Sequence, residues 1–101
     1  MSIEFVAHID ESGEFKVAVT GVLKNDNTFE ILPSSDESVV KCRFRANSMR
    51  ERWPEDIELK FSSEQIAVVV HSATRQQREY LIELIERALS EIGWLGKLVE
   101  E

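Results

Sequence analysis

Residues 41 to 52 read Lys-Cys-Arg-Phe-Arg-Ala-Asn-Ser-Met-Arg-Glu-Arg, five bases against one acid. That segment is +4 in a chain of net charge −7, which leaves −11 on the remainder. A basic stripe on an acidic body suits recognition of a charged partner, because summed fields of several kT steer association. On a strand, Lys41, Arg43 and Arg45 would project from one face about 6.5 to 7 Å apart, a spacing that can follow phosphates or grip an acidic patch. The same pattern also arises as a solvated strand face whose bases oppose Glu4, Glu30 or Glu58 on neighbouring strands. No aromatic residue interleaves the bases there, which argues against single-stranded nucleic acid.

The acids form a second pattern. If the chain folds as a simple meander, alternate turns share one end of the sheet. Asp10, Glu11, Glu14, Asp36, Glu37 and Glu64 would then gather without a base among them. Such a pole would draw in a basic partner and speed the encounter. Its ordinary explanation is that turns favour Asp and surfaces favour acids for solubility. Between the two patterns lies the uncommitted segment 46 to 56, where Arg50, Arg52 and Trp53 stand nearly together. Tryptophan and arginine are the residues most enriched at binding hot spots. Equally, Trp53 can fold inward as a lid on the core.

Catalytic and metal chemistry find little support. Cys42 shares the parity of Val40 and Phe44, as a small buried hydrophobe does. His8 and His71 fall on or near strand ends, His8 on the face of Glu4 and Asp10. Two histidines with a carboxylate can bind zinc, but no HxH, HExxH or CxxC fixes that geometry. Four glycines, at 13, 21, 93 and 96, make no phosphate-cradling loop. The sequence therefore predicts no catalytic residue, no metal and no cofactor.

The elements that must position these residues read as strands followed by a helix. Ile3, Phe5, Ala7 and Ile9 alternate with Glu4, Val6 and His8, the period of a half-buried strand. After a turn at 10 to 13, Phe15, Val17 and Val19 alternate with Lys16, Ala18 and Thr20, predicting a second strand. Further strands are expected at 28–32, 39–45, 57–61 and 66–71, the last apolar enough to be central or covered on both faces. Thr74 with Gln77 three residues on is a capping box. Leu81, Leu84, Ile85, Ala88, Leu89 and Ile92 then mark one face of a helix. Gly93 can take the left-handed conformation that ends it, placing Trp94 for a contact back to Leu89. Trp94 to Val99 reads as a flap over the sheet edge, or else as an apolar homodimer contact.

At 101 residues the chain fits one domain, residues 1–101. The expected class is α+β: an antiparallel, meander-like sheet of about five or six strands with one long C-terminal helix packed on one face. No apolar run approaches the length of a membrane span, and no signal peptide is visible at the start. With a single cysteine, a reducing cytoplasm is the natural setting. The acidic balance makes duplex nucleic acid an unlikely main ligand.

A small acidic α+β chain of this size and strand-then-helix order resembles the immunity proteins of bacterial toxin systems, such as contact-dependent growth inhibition. The resemblance covers the whole chain in size, charge and element order and includes no diagnostic motif. It implies a binding protein, not an enzyme, that occludes the active site of a cognate toxin domain, many such toxins being nucleases with basic surfaces. The expected contact residues are Asp10, Glu11, Asp36, Glu37, Arg50, Arg52 and Trp53. The alternative is an adaptor or regulatory domain that docks a protein, or a second copy of itself, through the region Arg43 to Trp53. A more remote one is a hydrolase or isomerase using His8 or His71.

Overall fold

The computed structural model describes residues 2–9, 12–46, 55–94 and 96–101. Its elements run β1 (Ile3–His8), α1 (Ser12–Asn25), β2 (Phe29–Leu32), β3 (Val39–Phe44), β4 (Ile57–Phe61), β5 (Gln65–Val70), α2 (Arg75–Glu91) and β6 (Val99–Glu100). The strands form one six-stranded sheet in the order β2-β3-β4-β5-β1-β6, and every pairing is antiparallel. The expected α+β class and antiparallel sheet are present, with the long helix near the C-terminus.

The segment 15 to 20 is not a strand. It lies inside α1, so the chain has two helices among its described residues. Phe15, Val17 and Val19 satisfy period two, but Phe15, Val19, Val22 and Leu23 satisfy the helical offsets 4, 7 and 8 as well. Length decides between them: residues 14 to 24 contain no turn-forming pair at which a hairpin strand could stop. Glu14 in the first turn and Lys24 in the last suit the helix dipole. Val19 and Leu23 are fully buried, while Val17, inward on the strand reading, is 73% exposed.

This change also alters the topology. The strands β2 to β5 do form a meander, but β1 joins it beyond β5 rather than before β2, and α1 makes the crossover. The sixth strand is the C-terminal Val99–Glu100, paired with Val6 and Phe5 at the sheet edge. The tail thus covers the β1 edge, with Leu98 buried and Val99 exposed.

One face of the sheet carries the core. Phe5, Ala7, Val40, Cys42, Phe44, Ile57, Leu59, Phe61, Ile66, Val68 and Val70 point to the side where α1 supplies Val19 and Leu23 and α2 supplies Leu81, Ile85 and Leu89. Phe29 contacts the ring of Phe44 at 5.1 Å and stacks on Tyr80 at 6.1 Å, tying β2 to both β3 and α2. The apolar run of β5 is explained by its central place: Ala67 and Val69, on the other face, are buried too.

The capping box of α2 is closed in both directions, with Gln77 N donating to Thr74 Oγ1 at 3.1 Å and Thr74 N to Gln77 Oε1 at 2.9 Å. At its other end Gly93 has φ of 99°. The Trp94 and Gly93 amides return to the carbonyls of Leu89 and Ser90, the paired bonds of a Schellman motif. Trp94 packs against the core, and its Nε1 donates to the carbonyl of His8 at 3.0 Å, fastening the helix end to β1.

Candidate functional site

Two groups of chemistry-bearing side chains lie at opposite ends of the sheet. At one end, the loop 33–38 and the turn 62–64 are bonded together by Phe61 N donating to Ser38 O at 2.8 Å. Ile9 N joins them by donating to Glu64 O at 2.9 Å. Two of the three turns expected to gather, 33–38 and 62–64, are therefore side by side, although the meander that suggested it is interrupted by α1; Glu14, from the third, stands in the first turn of that helix instead. Asp36, Glu37 and Glu64 are all exposed there. Asp36 accepts hydrogen bonds from the Ser38 hydroxyl at 2.7 Å and the Ser38 amide at 2.9 Å. These bonds, the hydroxyl's first, hold its carboxyl below the usual range, so the charge is secure at neutral pH.

One detail of the acidic end differs from expectation. A base does enter it: Lys16, placed near by the start of α1, donates to the Glu37 carbonyl. On a strand Lys16 would have pointed to the opposite face of the sheet, together with Ala18 and Thr20. Asp10, Glu11, Arg50, Arg52 and Trp53 lie outside the described residues.

Two of the three bases on β3 and its end, Lys41 and Arg43, are engaged with acids on or beside the sheet. Arg43 stands opposite Glu30 in register, and its Nε and Nη2 both reach Glu30 Oε1 at 2.8 Å. Lys41 stands opposite Glu58, and its Nζ lies 3.9 Å from Glu55 Oε1. Arg45, at the end of the stripe, is exposed.

At this second end, on the sheet face away from the helices, sits a cluster built on the β4–β5 hairpin. Glu58 pairs in register with Val69, which puts His71, two residues on, diagonally beside Glu58 on the same face. His71 Nε2 is 3.3 Å from Glu58 Oε1, and the His71 side chain is only 8% exposed. On the other side of the ring, Nδ1 meets the Ser2 hydroxyl at 2.8 Å. Glu55 completes the group: it is 5% exposed, and its Oε2 is buried with no hydrogen-bond partner. The order hydroxyl, imidazole, carboxylate can move a proton. With Glu55, the same groups offer one nitrogen and two oxygen donors to a cation.

The two histidines do not meet. His8 pairs with Gln65 at the start of β5, whereas His71 follows the strand's last residue, so they occupy opposite ends. Cys42 is fully buried in the core. Burial first, and the nearby Asp56 charge second, push its thiol up to about 12, leaving it a packing group.

Sequence reasoning missed Ser2, Glu55 and the grouping around His71. The Glu58–His71 diagonal follows once the hairpin register is known. Glu55 could not be reached by alternation, because the period breaks at 55–56 just before β4 begins. No protein-family model, curated protein or solved structure matches this chain. Among the described residues, no helix is long and apolar enough to cross a membrane.

Proposed function

We propose that this chain is a protein-binding domain whose acidic end docks a basic surface of another protein, in the manner of an immunity protein that covers the active site of a toxin domain. The observation that carries this reading is the joining of loop 33–38 to turn 62–64, which exposes Asp36, Glu37 and Glu64 at one pole. Carboxylates so placed resemble the phosphates that a nuclease surface attracts, and they speed association in proportion to their field. The rival docking surface, Arg43 to Trp53, is less favoured because Arg43, at its start, already engages Glu30 within the sheet.

The experiment is a capture of partners by the tagged chain at low and high salt, with E37K/E64K and R43E/R45E variants beside the wild type. The expected result is one basic protein, its toxic activity suppressed in the complex, whose recovery falls with E37K/E64K and persists with R43E/R45E. The opposite dependence would move the interface to the basic stripe and remove the acidic end from the function.

A further inference from the structure

We propose that Glu55, Glu58 and His71 bind a divalent first-row cation of the zinc type. One donor atom from each lies within 4.8 Å of the other two. The cluster is at the end of the sheet remote from the acidic loops, so the inference is independent of the docking function.

Four observations converge on it. First, the 3.3 Å between Glu58 Oε1 and His71 Nε2 is long for a hydrogen bond. It matches the separation of about 3.3 to 3.4 Å between two ligands on a tetrahedral zinc with bonds of about 2.0 to 2.1 Å. Second, Glu55 Oε2 is buried without a donor. A carboxylate withdrawn from water needs a counter-charge or a hydrogen bond, and a cation supplies the first. Lys41, at 3.9 Å from the other oxygen, Oε1, brings a charge but no hydrogen bond, so Oε2 remains without a donor.

Third, Ser2 holds the far nitrogen of the ring at 2.8 Å. Metal-bound histidines ordinarily donate their second N–H to such a partner, which turns the lone pair of the other nitrogen toward the ion. With a cation bound, that arrangement would have Nδ1–H donate to the Ser2 hydroxyl and would turn the Nε2 lone pair toward the ion. Fourth, the backbone beneath the site is fixed. Asp56 N donates to Cys42 O at 3.0 Å and Asp56 O accepts from His71 N at 2.8 Å, so the chain between Glu55 and Glu58 cannot drift from His71.

The donor set selects the class of ion. One imidazole and two carboxylates suit zinc or manganese, where thiolate-seeking copper(I) or calcium, which wants six or more oxygens, would be poorly served. Three protein ligands leave a further position, which water or a partner's side chain can fill.

The test is calorimetric titration of the chelator-washed protein with zinc chloride and, separately, manganese chloride. The expected result is saturation at a single equivalent. E55Q and H71Q should each weaken binding by at least about tenfold, with S2A costing about the same because it frees the His71 ring from the hydroxyl that orients it. E37Q/E64Q, at the other pole, should leave it unchanged. Wild-type protein followed by nitrogen-15 NMR of its imidazoles gives a reading that does not depend on any variant folding: zinc should shift His71 and spare His8. Absence of saturable binding, unchanged affinity in correctly folded E55Q and H71Q, or a shift at His8 alone would each overturn the site.

Discussion

The buried carboxylate of Asp56 accepts the backbone N–H of Phe44 at 2.9 Å. Asp56 is 2% exposed and stands one residue before β4, where its own amide donates to Cys42 O and its carbonyl accepts from His71 and Ser72. A single residue thus finishes the ladders of β3 and β5 and closes the end of the sheet on which the Glu55–Glu58–His71 cluster rests. Removing the carboxylate deletes the hydrogen bond that the Phe44 amide donates to it. The D56A variant should lose about 2 to 3 kcal/mol, as for a hydrogen bond to a charged group. In a domain of this size the midpoint of thermal unfolding should drop on the order of 10 °C. D56N, which keeps an acceptor oxygen, should lose clearly less. Equal losses in the two, by urea or thermal denaturation, would mean that the hydrogen bond is not the source of the stability.

How much of this fold could be read in the sequence depended on whether a second pattern competed. The helix α2 was legible because its capping box, its apolar stripe and Gly93 all agree. The strand β5 was legible because an unbroken apolar run needs a position covered on both faces. In α1 the clues conflict: Val17, Val19, Thr20 and Val22 are β-branched and favour a strand by propensity. Burial of Val19 and Leu23 against α2 and the sheet outweighed that preference. The two-residue strand at Val99 has no period to detect at all.

The hydroxyl of Tyr80 donates to Asp26 Oδ2, linking α2 to the turn after α1. This hydrogen bond is the main reason that the Asp26 carboxyl lies below its ordinary 3.8 and the Tyr80 phenol above its ordinary 10. A carboxyl depressed in the folded state adds stability above pH 3.8, and this is lost as the pH falls through the folded value. A phenol raised in the folded state adds stability below pH 10, and this is lost as the pH rises through the folded value. Y80F should therefore be less stable than wild type across the middle of the range, with the gap closing toward both extremes. The gap should stay below about 1 kcal/mol, since Tyr80 is exposed and solvent screens the pair. Unfolding midpoints taken at intervals across the pH range would check it, and a gap that does not change with pH would show that Y80F acts through packing on Phe29 instead.

The candidate sites were legible in unequal parts. The loops carrying Asp36, Glu37 and Glu64 lie side by side because the parity of turns survives as long as β2 to β5 form a meander, whereas Glu14 went into α1. Lys16 could not be placed at that pole while α1 was read as a strand. The cluster around His71 was hidden for a different reason. Its members come from residues 2, 55, 58 and 71, so no local spacing announces them, and only the pairing of β4 with β5 brings Glu58 beside His71.

Thr20 carries a buried hydroxyl with no hydrogen-bond partner. A threonine within a helix ordinarily returns its hydrogen to the carbonyl one turn back, and in α1 it does not. The hydroxyl has been taken out of water without compensation, at a cost of about 1 to 3 kcal/mol. Valine has nearly the same shape and a similar helix propensity, so T20V removes the uncompensated group without opening a cavity. It should raise stability by about 1 kcal/mol, or about 4 to 8 °C in the thermal midpoint. T20S, which keeps the hydroxyl and deletes the methyl, should do the reverse. Denaturation of the three proteins in urea decides the matter, because a stable T20S beside a weakened T20V would reveal that the hydroxyl has a partner in solution.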